Sequence, residues 1–98
     1  MSVIRHVNVH GRVQGVGFRA FVEREALTRG IEGWVRNRRD GSVEALFKGD
    51  EQVVADMIEA CRQGPLGARV DVQHERDSAG EDMKLRRRGE LFSVLPTA

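Results

Sequence analysis

Cysteine, proline and aromatic residues are all scarce in this sequence, and the shortages narrow what the chain can be. Its single cysteine, Cys61, excludes an internal disulfide, and a reducing compartment, the cytoplasm, is the expected location. No apolar run approaches the ~20 residues of a membrane span. Nothing after Met1 has the apolar stretch of a signal peptide. Neither sign of charge dominates, since 16 Lys and Arg face 15 Asp and Glu for a net charge of +1. That balance argues against a whole-molecule field of the kind that gathers nucleic acid or membrane lipid. There is no Pro- or Ser-rich linker and no internal repeat, so residues 1–98 are expected to form a single domain around one modest core. A monomer is the default for so small a unit.

What is present is ordered. Val3, Val7 and Val9 alternate with polar residues, which predicts a half-buried strand over about residues 3–10. Gly11-Arg-Val-Gln-Gly-Val-Gly17 is too rich in glycine to continue as strand or helix. From Phe18 the period becomes helical: Phe18, Phe21, Val22, Ala26 and Leu27 share a face, and Gly30 is placed to end the helix. Residues 31–37 and 42–48 read as strands joined through an Asp40-Gly41 hairpin signal. Asp50 and Glu51 favour a second helix start. Its apolar face is Val53, Val54, Met57, Ile58 and Cys61, and Gly64-Pro65 closes it. Val70 and Val72 begin a fourth strand, residues 75–90 read as a solvated turn or loop, and Leu91 to Leu95 form a last short strand. The order β-α-β-β-α-β predicts an α+β fold, the ferredoxin-like split β-α-β sandwich. It has an antiparallel sheet of four to five strands and two helices on one face.

The stretch Gly11 to Arg19 carries the chemistry. Without Cβ atoms at Gly15 and Gly17, the backbone can curl until successive N–H groups converge. The helix start adds unpaired donors and a favourable dipole, and Arg19 adds a planar, fixed positive charge. This describes a receptor for a phosphate-sized anion, although a plain strand-to-helix connection with a surface arginine fits the spacing too. The P-loop pattern is absent, because no Gly-Lys-Ser/Thr follows the glycines. Gly15-Val-Gly17-Phe-Arg-Ala20 does match the dinucleotide pattern G-x-G-x-x-G/A, with Asp40 about twenty residues further on. That fingerprint needs a parallel βαβ unit, and the Asp40-Gly41 signal makes the next pairing antiparallel.

Val9-His-Gly-Arg-Val-Gln-Gly-Val-Gly-Phe-Arg19 resembles the first signature of the acylphosphatase family, whose core is G-x-V-Q-G-V-x-F-R. Gly33-Trp-Val-Arg-Asn37, with Asp40-Gly41-Ser-Val43 and Gly49, resembles the second. Gly64-Pro-Leu-Gly-Ala-Arg-Val70 is similar to the family's usual approach to strand four, and the likeness spans about residues 3 to 75. Segment 76–98 departs from it. It is polar and arginine-rich and ends Leu95-Pro-Thr-Ala98, where family members often finish on a strand carrying an aromatic.

The resemblance implies an acyl-phosphate hydrolase. Gln14, Gly15, Val16, Gly17 and Phe18, through their backbone, would hold the phosphoryl group together with Arg19. Arg19 and Asn37 would be the catalytic residues, with Asn37 positioning the attacking water, and no metal or cofactor would be required. The residue types restrict the reaction independently. Neither motif offers a histidine or carboxylate base, and Asn37 cannot titrate. Such a site suits a leaving group that departs unprotonated, as does a carboxylate, whose conjugate acid has a pKa of about 4. An alkoxide from a phosphate monoester would need more help. The partners implied are an acyl phosphate and the inorganic phosphate released, with no nucleic acid and no membrane.

Other residues read more plainly. His6 and His10 lack a third ligand for a metal, and His74 reads as solvated. Cys61 reads as a buried structural thiol. Trp34 suits either the substrate entrance or sheet packing, and Arg86-Arg87-Arg88 reads as solvated surface. Arg38 and Arg39 either draw in an anionic substrate or simply cover the hairpin. A non-catalytic anion-binding module of the same fold is the competing function. RNA binding through an RRM-like sheet is disfavoured, because strand one has no aromatic and strand three has only Phe47.

Overall fold

Alternation along the first strand sorts the molecule into two faces. The computed structural model describes residues 1–98, and its β1, Ser2–Arg12, buries Val7 and Val9 on one side while His6, Asn8 and His10 take the other. Pairing carries that division across the sheet. β3, Val43–Asp50, runs antiparallel to β1 with Val7 opposite Ala45 and His6 opposite Leu46. β2, Glu32–Asn37, pairs antiparallel with β3, placing Val35 opposite Ala45 and Arg36 opposite Glu44. β4, Arg69–Asp77, pairs antiparallel with the other edge of β1.

Two helices cover the valine face. α1, Phe18–Thr28, buries Phe18, Val22 and Ala26, and α2, Glu51–Gln63, buries Val54, Met57, Ile58 and Cys61. Together with the inner face of the sheet they form one apolar cluster that includes Val7, Val9, Ile31, Val35 and Phe47. Full burial of a side chain of this size contributes about 1.5–3 kcal/mol. Local signals set the helix ends. Asp50 caps α2 by accepting a hydrogen bond from the Gln52 N–H. At the end of α1, Gly30 and Ile31 donate backward to Leu27 and Ala26.

The order β-α-β-β-α-β is present with two helices on one face, and four of the five strands pair antiparallel. The fifth differs. β5, Phe92–Val94, lies beside β2 and runs parallel to it, so the complete sheet, ordered β4-β1-β3-β2-β5, is mixed. Leu27 also departs from expectation, because it stays largely exposed at the solvent edge of the α1 stripe, and Phe21 is only half-buried.

The expectation of a solvated loop over 75–90 needs correction. β4 continues to Asp77, and Gly80–Leu85 forms a short 3-10 helix on the side of the sheet away from α1 and α2. Trp34 and Leu46 are fully buried there with Leu95, and Ile4 and Met83 pack at the margin. The indole Nε1 donates to the Asp82 carbonyl at 2.8 Å. Arg86 ties the segment to β2 through Glu32 at 2.8 Å, so it is a structural tether, not free surface charge. A polar sequence hides this role because only a few residues of the segment meet the sheet, and their partners Trp34 and Glu32 are 48 and 54 positions away in the chain.

Candidate active site

The loop between β1 and α1 owes its shape to two glycines. Gly15 and Gly17 have φ of 75° and 79°, in the left-handed region. A Cβ at either position would meet nothing within 4 Å. Backbone torsion, not crowding, therefore requires glycine there, at a cost of about 1–2 kcal/mol for any other residue. Gly17 precedes α1 without a side-chain cap. As a result no backbone N–H from Gly15 through Ala20 donates to an acceptor within the protein. Six consecutive donors left this way, at the positive end of a helix dipole, are a strong anion receptor. Phe18 anchors the loop. Its ring is buried in the core cluster and sits against Gly64, where an added Cβ would approach it to 3.0 Å.

Gly15, Gly17, Phe18 and Arg19 border a cleft of about 430 Å³. Asn37 lines the same cleft, at the last position of β2. Strand alternation decides this placement: Asn37 shares the helix-side face with Val35, whereas its neighbour Arg36 turns to the opposite face and bonds Glu44 at 2.6 Å. Neither the Arg19 guanidinium nor the Asn37 amide has a partner within the protein, so both are available to a ligand. The hairpin beyond Asn37 is closed locally. Asp40 Oδ1 accepts from the Ser42 hydroxyl at 2.6 Å and from its N–H at 2.9 Å. These two bonds, the hydroxyl foremost, hold the Asp40 carboxyl below its ordinary range. On the far side of the strand the Ala98 N–H donates to the Asn37 carbonyl at 3.0 Å.

The acylphosphatase profile matches residues 5–86, which contain every part of this cleft except Val94. The chain belongs to the acylphosphatase family. An acylphosphatase of Rhodopseudomonas palustris (strain BisB18) is 56% identical over 96 residues, covering 98% of this chain and 97% of the relative. Another, from Bradyrhizobium diazoefficiens, is 57% identical over 94 residues, with 96% and 95% covered. The crystal structure of the acylphosphatase from Bacillus subtilis superposes with a TM-score of 0.82 at 38% identity, over 97% of this chain and 99% of that one.

Within this acylphosphatase framework, the structure brings Gln14, Gly15, Gly17, Phe18, Arg19 and Asn37 to one cleft, with Val16 half-buried against the core beside it. Gln14 behaves differently from the rest of the loop. Its side-chain Nε2 donates to the carbonyls of Arg38 at 2.7 Å and Ser42 at 2.8 Å. Sequence reasoning missed Glu23, Ala20 and Val94, which also line the cleft. Helical spacing offered a signal for Glu23, because it lies four residues after Arg19 and hence on the same face of α1. The departure expected in 76–98 is smaller than the composition implies, since β5 supplies Phe92, stacked on Phe47 at 6.0 Å between centroids.

The remaining polar residues serve the opposite face of the sheet. Glu44 accepts from His6 Nε2 at 2.7 Å and from Arg36, with Arg38 Nη1 at 3.3 Å. Burial pushes the Glu44 carboxyl up, but the hydrogen bonds and charges of His6 and Arg36 outweigh it and hold the group down at about 2. Arg38 is thus drawn towards Glu44, while Arg39 stays exposed. The His10 ring lies edge-on to His74 at 5.7 Å. Trp34 packs beneath the 3-10 helix and is absent from the cleft, which settles its role in favour of packing. Phe47 lies under the helices, so it offers no exposed surface for stacking a base.

Proposed function

We propose that this chain hydrolyses acyl phosphates to a carboxylate and inorganic phosphate, by direct attack of water on phosphorus. One observation carries the reading: Gly15, Gly17, Phe18, Arg19 and Ala20, whose N–H groups are unpaired, border one cleft together with the unpaired Arg19 guanidinium and the unpaired Asn37 amide. The N–H groups of Gly15 to Phe18 and the Arg19 fork surround the phosphoryl oxygens. Asn37 accepts from and orients a water on the side opposite the acyl oxygen. As the water oxygen bonds to phosphorus, the bond from phosphorus to the acyl oxygen breaks. The carboxylate leaves with the electron pair, and a phosphoryl oxygen of the substrate takes the proton from the water. No phosphoenzyme forms. Phosphoryl transfer through a loose transition state depends mainly on positioning and charge stabilisation, which this donor set supplies without a cofactor.

The family gives the activity independent support. The lining holds no histidine, and its one carboxyl is Glu23, a helical turn beyond Arg19 on α1. Release of phosphate from benzoyl phosphate, with p-nitrophenyl phosphate as the poor-leaving-group comparison, tests the proposal. Turnover of the first and negligible turnover of the second is the expected result. Binding of phosphate without turnover of either would favour a non-catalytic anion-binding module.

We also infer a cytoplasmic monomer that acts on a small molecule and has no nucleic-acid or membrane partner. A lone buried thiol and near-zero net charge support this. No helix is long and apolar enough to cross a membrane.

A further inference from the structure

Two halves of the cleft come from distant parts of the chain, and one side chain joins them. The phosphate loop follows β1, and Asn37 ends β2. Between residues 13–20 and the hairpin at 37–43, the only hydrogen bonds are the two donated by Gln14 Nε2. Both acceptors are carbonyls, so only the NH₂ end of the amide can satisfy them. Those same carbonyls close the hairpin. Arg38 O also accepts from Gly41 N at 3.1 Å, and Ser42 O accepts from Arg38 N at 2.8 Å. Gln14 therefore grips the hairpin at its base, one residue beyond Asn37, while its own backbone leads directly into Gly15.

Resting on the function proposed above, we infer that Gln14 is a positioning residue, whose side chain sets the distance and angle between the phosphate cradle and the water held by Asn37. It need not touch substrate to do this. Phosphate binding depends on the loop and Arg19, which Gln14 does not build, so its loss should act on kcat far more than on affinity. The neighbouring ties support this division: Phe18 anchors the loop to the core, and the Ala98 N–H, in the tail beyond β5, donates to the Asn37 carbonyl, so each half has its own support. The β1–β3 and β2–β3 ladders bring the strands side by side, with Val9 and Asn37 both opposite Val43, and Gln14 adds the direct tie between the loop and the hairpin.

The experiment uses Gln14→Ala and the isosteric Gln14→Glu, with kcat and KM measured on benzoyl phosphate and Ki for inorganic phosphate. A misplacement near 1 Å lowers rate by on the order of 100-fold. The expected result is a fall in kcat of about 10- to 100-fold in both variants, with KM and Ki within about threefold of wild type. Gln14→Glu adds a signature that generic loosening cannot produce. Its carboxylate cannot donate and faces two carbonyl oxygens, whereas the protonated acid regains one donor. Its activity relative to wild type should therefore rise as pH falls, and that of Gln14→Ala should not. Circular dichroism and thermal melting establish that both variants fold. An unchanged kcat in folded Gln14→Ala overturns the inference while leaving the proposed function standing. So does a rise in KM and Ki that matches the loss, because Gln14 would then serve binding. Absence of turnover in the wild-type protein overturns both.

Discussion

Glu23 stands one helical turn beyond Arg19 and lines the same cleft, yet the two side chains form no ion pair. A carboxylate is thus held at the edge of a site built for an anion. It opposes the charge of an approaching phosphate.

Glu23→Gln should consequently improve substrate capture. Removing one like charge near a surface site is worth up to about 1 kcal/mol, or up to about fivefold in KM, with kcat little changed. Salt should shrink the difference, since screening acts over about 10 Å at 0.1 M. Kinetics at two ionic strengths would check this, and a collapse of kcat would show that Glu23 takes part in proton transfer instead.

Arg19 and Asn37 should fail in different ways. Arg19→Gln removes a charge-assisted fork at the phosphoryl oxygens, so both phosphate affinity and kcat should drop, by about 2–4 kcal/mol in kcat/KM. Asn37→Ala leaves the cradle intact and should lower kcat with little change in the inhibition constant of phosphate. Normal turnover in the Arg19 variant would exclude this cleft as the active site.

The ion cluster on the opposite face predicts an acid limb in stability. The Glu44 carboxyl lies at about 2 in the folded chain against 4.5 as its ordinary value. A depressed carboxyl stabilises the fold fully above the unfolded value, so its contribution is complete above about pH 4.5 and is lost as pH falls towards 2. Solvent screening of a partly open cluster reduces the contribution to about 1–2 kcal/mol. Urea unfolding across this window should show the loss in wild type and a flatter profile in Glu44→Gln. Parallel profiles would remove Glu44 as the source.

Cys61 should be silent in the folded protein. It is buried on the inner face of α2, and burial pushes its thiol up to about 12. At pH 8 a thiol reagent should modify it only through opening of the structure, at a rate that rises steeply with urea. Modification at the rate of a free cysteine would show that α2 detaches readily.

Much of this architecture was legible in the sequence where its cause is local. Gly15 and Gly17 announce a backbone that other residues resist, and Asp40-Ser-type bonding closes a hairpin within three positions, from Asp40 to Ser42. Valine alternation on β1 and the helical spacing from Phe18 specify which face is buried, because those periods follow from strand and helix geometry alone. The pairing of Arg19 with Asn37 in one site was legible as well, but only through resemblance to known signatures.

Only the tertiary structure decided the rest, because the forces involved join residues far apart in the chain. Composition marks 75–90 as polar and says nothing of Trp34, whose indole finds the Asp82 carbonyl 48 positions away. β5 docks parallel on β2 with Phe92 stacked on the Phe47 ring over Gly33, a contact between neighbouring strands of one sheet face that no turn signal announces. Gln14 belongs to a glycine loop by sequence, and its side chain could as well have faced the ligand. Its two hydrogen bonds span 24 and 28 positions, and they form only when β1, β2 and β3 are already paired. Short-range backbone preference therefore determined the glycine loop, and long-range packing determined where Asn37 stands relative to it.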